Sequence, residues 1–308
     1  MKLEIHDVDH GACVVITSPQ GHRLMLDCGQ SLSRPWFPSI TYGGGVINTL
    51  LLMNLDEDHV EDLDDLWKST SIKALGSNPT VSAEALKAMK TSGMRRGVTR
   101  AHNILSALGP GFHGEWLDGL GGVQWQAFWN KYECDFTDTN NLSLVVFVKY
   151  GAFTALFGGD LETAGWNKLL MIPAFRARLP EVSLFMASHH GRESGKCEEL
   201  FTLCAPQLIV FSDGQKEYES QETTGWYSRR AKGIPDWTQP AGLLGQPRRR
   251  VMTTRSDGTI RIDVAVNGNW NVTPNSRTAP FHNVLQALGL LHPPYPWSRS
   301  PYPWSQLG

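Results

Sequence analysis

The chain has 308 residues, of which 41% are hydrophobic and 19% are charged, and its formal net charge is −2. This length predicts a globular protein with a substantial core, and the near-neutral charge excludes a strong overall attraction to nucleic acid. No apolar run reaches the ~18 to 20 residues of a membrane span, and no signal segment is visible at the amino terminus. The five cysteines are scattered and include no Cys-x-x-Cys pair, so we expect a reducing, cytoplasmic location without a membrane.

Apolar runs bounded by turn residues predict the first elements of the chain. Four strands are expected at about 2–7, 12–18, 22–27 and 47–53, with helices near 60–68 and 82–91. A segment rich in Ser, Pro and Gly, residues 31–45, is predicted to be a loop.

A polar cluster follows the strand at 47–53. Asn54, Asp56 and Asp58 alternate along the chain, so they can converge on one face of an extended segment, with His59 beside them. Packed together without a cation, such groups would repel each other or stay unpaired. Taken alone, the segment also suits a solvated acidic loop that leads into the next helix.

The second part of the chain contains more predicted strands than the first. Strands are expected near 124–130, 142–149, 152–158, 183–187, 207–211 and 259–265, with helices near 163–172 and 194–203. A second loop is predicted at 235–250, where Pro and Gly recur.

Two of these later strands also end in metal-ligating residue types. The strand at 152–158 leads into Asp160, and the strand at 183–187 leads into His189 and His190. Layered α/β proteins build their sites at such strand ends. A lone histidine after a strand is more often structural, but three clusters in this order indicate a metal site.

The order Asp-x-Asp-His, Gly-Asp, His-His-Gly resembles the metallo-β-lactamase superfamily, and most of all the hydrolase domain of ComEC-type DNA-uptake competence proteins and their stand-alone relatives. Four more segments resemble strand motifs of that group, namely 7–16, 24–29, 141–146 and 257–262. The resemblance spans roughly residues 3 to 265. It implies an αββα four-layer sandwich of the α/β (α+β) class, with a hydrolase domain at 1–268 and a carboxyl-terminal extension at 269–308.

The first metal position departs from the family pattern. Asn54 stands where the family has a histidine, and a second family histidine is matched by Asn140 or Asn141. The resemblance therefore leaves Asp56 as the strong ligand there, joined by Asp160 if that carboxylate bridges. The asparagines are expected to be weak ligands or to orient water and substrate.

The second metal position keeps a full set of ligands by the same resemblance. Asp58, His59, Asp160 and one histidine of the pair complete it, and His189 is the predicted ligand. We expect one tightly bound divalent cation, zinc or manganese with magnesium as an alternative, and a second weak site. Carboxylate and amide oxygens favour manganese or magnesium over zinc.

The implied activity is metal-dependent hydrolysis by a metal-activated water, with Asp58 orienting the nucleophile and His190 protonating the leaving oxygen. By resemblance the substrate is a phosphodiester, which makes a nuclease or phosphodiesterase, with DNA first and a small nucleotide second. Two alternatives stay open. One is a metal-depleted binding module for nucleic acid or protein, and the other is hydrolysis of a lactam or thioester.

Two segments suggest partners. Arg95, Arg96 and Arg100 lie in an insertion that faces the metal cleft in the superfamily, so they predict a groove for a polyanion, although a solubilising helix face explains them equally well. The tail carries a near repeat at 294–298 and 301–305, which is expected to be extended and either to pack on the body or to bind a protein partner. The oligomeric state is left open.

Overall fold

The computed structural model describes residues 1–115, 120–215, 222–236, 239–242 and 245–274. The predicted tail repeat lies outside this range. The strands of the described residues, in chain order, are β1 (Lys2–Ile5), β2 (Val14–Thr17), β3 (Arg23–Leu26), β4 (Val46–Ile47), β5 (Thr49–Leu51), β6 (Ser71–Ile72), β7 (Ala74–Gly76), β8 (Phe112–Gly114), β9 (Gln124–Phe128), β10 (Val145–Tyr150), β11 (Phe153–Phe157), β12 (Leu184–Met186), β13 (Leu208–Phe211), β14 (Ile234–Pro235), β15 (Arg248–Arg249), β16 (Val251–Thr253), β17 (Ile260–Val264) and β18 (Trp270–Pro274).

The helices are mostly short and connect these strands. In chain order they are α1 (Pro38–Thr41), α2 (Glu57–Val60), α3 (Leu63–Ser69), α4 (Ala83–Met89), α5 (Arg96–Leu108), α6 (Thr163–Leu169), α7 (Pro173–Arg176), α8 (Glu198–Leu203), α9 (Thr224–Ser228) and α10 (Thr254–Asp257). Among the described residues, none of the helices has the length and apolar character needed to cross a membrane.

Two large sheets form the body of the protein. The first has eight strands in the order β18-β17-β1-β2-β3-β5-β7-β8, and the second has six in the order β16-β13-β12-β11-β10-β9. The predicted strand at 259–265 was expected with the second set. Instead β17 pairs antiparallel with β1, with Lys2 opposite Asp263, because β1 offers a free edge that the late strand completes.

Three separate apolar clusters show how the layers stack. A central core joins the inner faces of the two sheets, with residues such as Leu3 and Ile16 packing with Val146 and Phe153. A second cluster lies between the first sheet and α3, α4 and α5, and a third lies between the second sheet and α6, α7 and α8. Because each sheet thus buries both of its faces, the layer order is helix, sheet, sheet, helix. The predicted αββα sandwich is confirmed.

Several boundaries differ from the sequence prediction. The helix expected at 60–68 is two helices, α2 and α3, and α5 was not predicted because its basic start was interpreted as a charged insertion. In α5 the buried residues Val98, Ala101, Ile104 and Leu105 recur at helical spacing and face the first sheet's outer cluster. The domain boundary at 268 stays a prediction, and β18, just beyond it, pairs with β17.

Candidate metal centre

Polar side chains from one helix and two strand ends meet at a single edge of the sandwich. Asp58 and His59 lie in α2, which follows β5, while Asp160 follows β11 and His190 follows β12. Their ligand atoms all lie within 4.8 Å of one another. The neighbouring parallel strands β11 and β12 end side by side, which brings Asp160 and His190 together.

The histidine Nε2 atoms and carboxylate oxygens of this cluster lie close together but do not all form hydrogen bonds with one another. His59 Nε2 lies 3.0 Å from Asp160 Oδ1, and His190 Nε2 lies 3.2 Å from Asp58 Oδ2. Nevertheless His59 Nε2, His190 Nε2 and Asp160 Oδ1 are buried and make no hydrogen bond of acceptable geometry. Buried polar atoms are almost always paired, so three orphans in one cluster indicate a missing partner. Two imidazoles and two carboxylates form a donor set that suits a divalent cation.

The outer nitrogens of both imidazoles are held by oxygen acceptors. His59 Nδ1 donates to Asp27 Oδ2 at 2.7 Å, and His190 Nδ1 donates to the Ser212 carbonyl at 2.8 Å. Asp27 is itself fixed, because the Met53 backbone N–H donates to its Oδ1 at 2.6 Å. These contacts place the proton on Nδ1 and aim the lone pair of each Nε2 at the cluster, as metal-binding histidines require.

We expect Asp27→Asn to weaken divalent-metal binding by about 10- to 100-fold, because it removes the acceptor that orients His59. Affinities for Mn²⁺ and Zn²⁺ would be measured by competition with a chromophoric chelator. Asp65→Asn, the same chemical change in a side chain that is 46% exposed, is the control. Equal affinity in Asp27→Asn and the parent would contradict the orienting role.

The electrostatics of the cluster are dominated by its two central carboxylates. Burial disfavours the charged imidazolium of His190, yet Asp160 and Asp58 raise its pKa to about 10. The pKa of His59 likewise lies well above its usual value, since Asp160, Asp27 and Asp58 outweigh its burial. Burial alone would raise the pKa of Asp160, but His59 and His190 hold it well below its usual value. The pocket therefore favours positive charge, whether protons or a cation.

The cluster opens to solvent on one side only. The Asp58 side chain is 40% exposed, whereas those of His59, Asp160 and His190 are exposed by 1%, 6% and 2%. Apolar residues of the central core, Met53, Phe157 and Met186 among them, line the cavity beneath the cluster. A substrate would therefore approach from the Asp58 side, and the low-polarity floor excludes water from the other.

Two glycines hold the backbone of α2 in place. A Cβ on Gly11 would lie 2.3 Å from the Asp58 carbonyl oxygen, and one on Gly29 would lie 2.4 Å from the same atom. The Cys28 N–H also donates to the His59 carbonyl at 2.8 Å. Gly11 and Gly29, which belong to the segments 7–16 and 24–29, are thus required because the backbone of Asp58 approaches them too closely for a side chain to fit.

Backbone strain concentrates at the same edge. Asp27 has a φ of 57° and His190 a φ of 54°, values in the left-handed region that side chains other than glycine rarely adopt. Both residues have fixed partners at the cluster, Asp27 through His59 and His190 through the Ser212 carbonyl. Strained residues that are held by their surroundings are typical of functional sites.

The two histidines of the pair occupy different positions from those predicted. His190 lies in the cluster, whereas His189, the predicted ligand, lies outside it. His189 Nδ1 is 2.8 Å from Ser194 Oγ and 3.4 Å from Glu162 Oε1. The left-handed backbone at both residues turns their rings apart, to a centroid separation of 6.3 Å, so only one of them can face Asp160.

The residues predicted for the first metal position lie beside the cluster. Asp56 is outside it and accepts hydrogen bonds from Thr139 Oγ1 at 2.8 and 2.9 Å. Asn54 Nδ2 donates to Asn140 Oδ1 at 3.4 Å, so these two amides face each other. Asn141 is used elsewhere, since its Oδ1 accepts from the Gly165 N–H at 3.0 Å and holds α6. Of the two candidates, Asn140 is therefore the one at this position.

The predicted groove arginines are largely occupied by acidic neighbours. Arg100 Nε donates to Asp64 Oδ1 at 2.7 Å, and Arg96 binds both Asp64 and Asp65. These contacts join α5 to α3. Arg95 follows α4, and its backbone N–H donates to Glu57 at 2.6 Å. That these arginines bind a polyanion stays a prediction. An arginine that already forms an ion pair attracts a polyanion less strongly than an unpaired arginine would.

Sequence reasoning missed two groups at this edge, and it did not identify the partner of a third. Asp27 lies in the segment 24–29 that carried the family resemblance, so an Asp placed directly after a buried strand was the available signal. The Ser212 carbonyl is a backbone atom and leaves no signal in the sequence. Lys90, which pairs with Asp56, comes from the end of α4 and is adjacent only in the folded chain.

Comparison with known proteins places this geometry in context. The chain is similar to ComE operon protein 3 of Bacillus subtilis (strain 168). The identity is 22% over 240 residues, which cover 70% of this chain and 28% of that protein. The predicted ComEC-like resemblance is thus confirmed at low identity, and the chain spans only about a quarter of the length of this relative. No protein-family profile matches the chain.

Solved structures similar to the chain include metal-dependent proteins. CmlA, a diiron beta-hydroxylase from Streptomyces venezuelae, has a TM-score of 0.43 at 14% identity over 74% of this chain and 50% of that chain. A protein assigned as a metal-dependent hydrolase from Parabacteroides distasonis ATCC 8503 has a TM-score of 0.41 at 13% identity, covering 71% and 86%. A mutant metallo-β-lactamase from Cronobacter sakazakii has a TM-score of 0.32 at 16% identity, covering 56% and 70%.

Proposed function

We propose that the chain is a metal-dependent hydrolase and that its substrate is a phosphodiester, with DNA first and a small nucleotide second. The observation that carries the proposal is the convergence of Asp58, His59, Asp160 and His190, with three buried atoms that lack partners. The choice of a phosphodiester is supported by the sequence resemblance to the hydrolase domain of ComEC-type competence proteins.

Each residue of the cluster has a distinct task in this proposal. His59, His190 and Asp160 would hold a divalent cation, while the more exposed Asp58 would face incoming substrate and orient the attacking water. A divalent cation bound there lowers the pKa of water and polarises a phosphoryl oxygen. His189 is the histidine outside the metal cluster, with Nδ1 2.8 Å from Ser194 Oγ and Nε2 3.4 Å from Arg192 Nη1, and in this proposal it contacts the leaving oxygen. His190, to which the sequence assigned that task, donates from Nδ1 to the Ser212 carbonyl and directs Nε2 at the cluster.

The test is hydrolysis by protein purified without chelator and then loaded with Mn²⁺. Labelled DNA, a cyclic dinucleotide and a chromogenic phosphodiester would be compared with nitrocefin, a chromogenic lactam. We expect Mn²⁺-dependent cleavage of at least one phosphodiester. Asp58→Ala should lower the rate by a factor of about 10² to 10⁴, the range of a positioned acid–base group, and Asn54→Ala should lower it less.

Two outcomes would contradict this function, and a third would revise the role of Asn54. Metal-loaded protein that binds DNA without cleaving any phosphodiester would favour the binding-module alternative. Asn54 and Asn140, which stand where the family has histidine ligands, are the observation that supports that alternative. Cleavage of nitrocefin alone would move the substrate to lactams. Equal loss of activity in Asn54→Ala and Asp58→Ala would mean that the amide contacts the metal or the substrate directly.

A further inference from the structure

The predicted first metal position, beside the cluster, has ligands that are too weak to bind a second metal ion tightly. It consists of Asn54, Asp56 and Asn140, of which only Asp56 is charged. The Asn54 and Asn140 amides face each other, Asn54 Oδ1 also accepts from the Asp56 backbone N–H at 3.0 Å, and Asn140 Nδ2 donates to Glu162 Oε1 at 3.3 Å. The amides are therefore engaged with each other and with the loop, which leaves the Asp56 carboxylate as the strong oxygen donor at this position.

A lysine already neutralises that carboxylate. The Lys90 ammonium forms an ion pair with Asp56 Oδ1, and Thr139 Oγ1 binds both oxygens of the same carboxylate. The Lys90 side chain is 15% exposed, whereas Lys68, which forms an ordinary surface pair with Asp64, is 55% exposed. The Lys90 ammonium is thus held in the site rather than being free to sample solvent.

The fold fixes where this ammonium lies. Lys90 is the residue that ends α4, and its backbone N–H donates to the Leu86 carbonyl at 3.1 Å. At the other end of α4, Ser82 caps the helix, while Leu86 is buried in the outer core. Asp56 directly precedes α2, the helix that carries Asp58 and His59, so the packed helix α4 holds Lys90 against the residue that begins α2.

We propose that Lys90 acts as a built-in cation in place of a second metal ion, so that the chain binds one divalent ion and Lys90 binds the anionic group of the substrate beside it. The charges of Asp56 and Lys90 cancel and both asparagines are neutral, so these four side chains add no net charge that would attract another cation. A bound phosphate would then contact the ion on one side and the ammonium on the other. The second half of the proposal rests on the phosphodiester substrate proposed above.

The first experiment counts ions. Mn²⁺ and Zn²⁺ bound per chain would be measured by equilibrium dialysis and elemental analysis over rising metal concentration. We expect about one ion in the parent and a second, weaker ion in Lys90→Met, because the freed Asp56 carboxylate becomes a ligand. Lys87→Met, an exposed lysine on the same helix, should bind metal like the parent.

Two results would overturn the built-in cation. One is a parent that binds two ions with similar affinity, and the other is an unchanged ion count in Lys90→Met. Circular dichroism would verify that each variant folds. Should Lys90→Met fail to fold, Lys90→Gln keeps a hydrogen-bond donor toward Asp56 and allows the same comparison.

The second experiment measures anion binding without turnover. The probe is inorganic phosphate, titrated calorimetrically into protein loaded with Mn²⁺. We expect Lys90→Met to weaken phosphate binding by about 10-fold, as for the loss of one charge-assisted hydrogen bond, and Lys90→Arg to retain most of it. Unchanged phosphate affinity in Lys90→Met would remove the anion-binding role.

These measurements separate the two proposals. A protein that cleaves no phosphodiester but shows the expected ion count and phosphate affinity would refute the proposed function and support the role of Lys90. A protein that cleaves phosphodiesters with two equally tight ions would support the function and refute the role of Lys90.

Discussion

Replacing Asp160 by asparagine is expected to abolish tight binding of a divalent cation. Asp160 Oδ1 lies 3.0 Å from His59 Nε2 and 3.4 Å from His190 Nε2, so it is the carboxylate at the centre of the cluster. Its loss removes a charged ligand that is 94% buried as a side chain, and the neutral amide cannot replace that charge. Metal affinity should fall by more than about 100-fold. That value is the largest effect usually seen when only the hydrogen-bond partner of a metal ligand, and not the ligand itself, is removed.

Metal affinity of Asp160→Asn would be measured by chelator competition, and its fold by circular dichroism. Asp263→Asn, the same change at an exposed position on β17, should leave affinity unchanged. A folded Asp160→Asn that binds Mn²⁺ and Zn²⁺ as tightly as the parent would refute the metal centre itself. Loss of hydrolysis alone would not test the metal centre, because a defect in a step after metal binding would also abolish hydrolysis.

The second large effect is expected from Gly29→Ala. A Cβ at Gly29 would meet the Asp58 carbonyl oxygen at 2.4 Å and the Ala12 nitrogen at 2.9 Å. Both atoms belong to the backbone, so no side-chain rotation relieves the overlap and α2 must shift. We expect a loss of about 1 to 3 kcal/mol in the free energy of unfolding, together with weaker metal binding, because Asp58 and His59 move with the helix.

Urea unfolding and chelator competition would measure the two effects of Gly29→Ala. Gly225→Ala is the matched control, since its Cβ would meet only Arg229 Nη1 at 3.8 Å, an ordinary contact. An unfolding midpoint and a metal affinity equal to those of the parent would show that the backbone contact at Asp58 does not hold the site. Gly11→Ala, whose Cβ would lie 2.3 Å from the same oxygen, should behave like Gly29→Ala.

Much of the candidate site was predictable because its residues follow strands directly. An apolar run of five or more residues predicts a buried strand, and the polar residue that ends it must lie at the edge of a sheet. Asp58, His59 and Asp160 were identified in this way, and they are three of the four residues in the cluster. The glycines at 11 and 29 were noted as parts of motifs, but their contact with Asp58 is visible only in three dimensions.

The choice within the histidine pair could not be predicted. His189 and His190 are adjacent and chemically identical, so the sequence offers no basis for choosing between them. Their rings diverge because both residues adopt left-handed backbone angles after β12, and this turns His190 toward Asp160. Backbone angles of this kind follow from the packing of the loop rather than from residue type.

The sequence by itself determined the buried strands, through their apolar runs, and it determined that carboxylates and histidines stand at the strand ends, while the αββα layer order followed from the family resemblance that these motifs carry. The tertiary structure decided what those side chains meet. Lys90 reaches Asp56 across 34 positions of chain, and Arg96 and Arg100 pair with α3 instead of remaining free. Such contacts depend on how helices pack on the sheets, and that packing sums many weak apolar contacts over distant residues, so no local pattern encodes it.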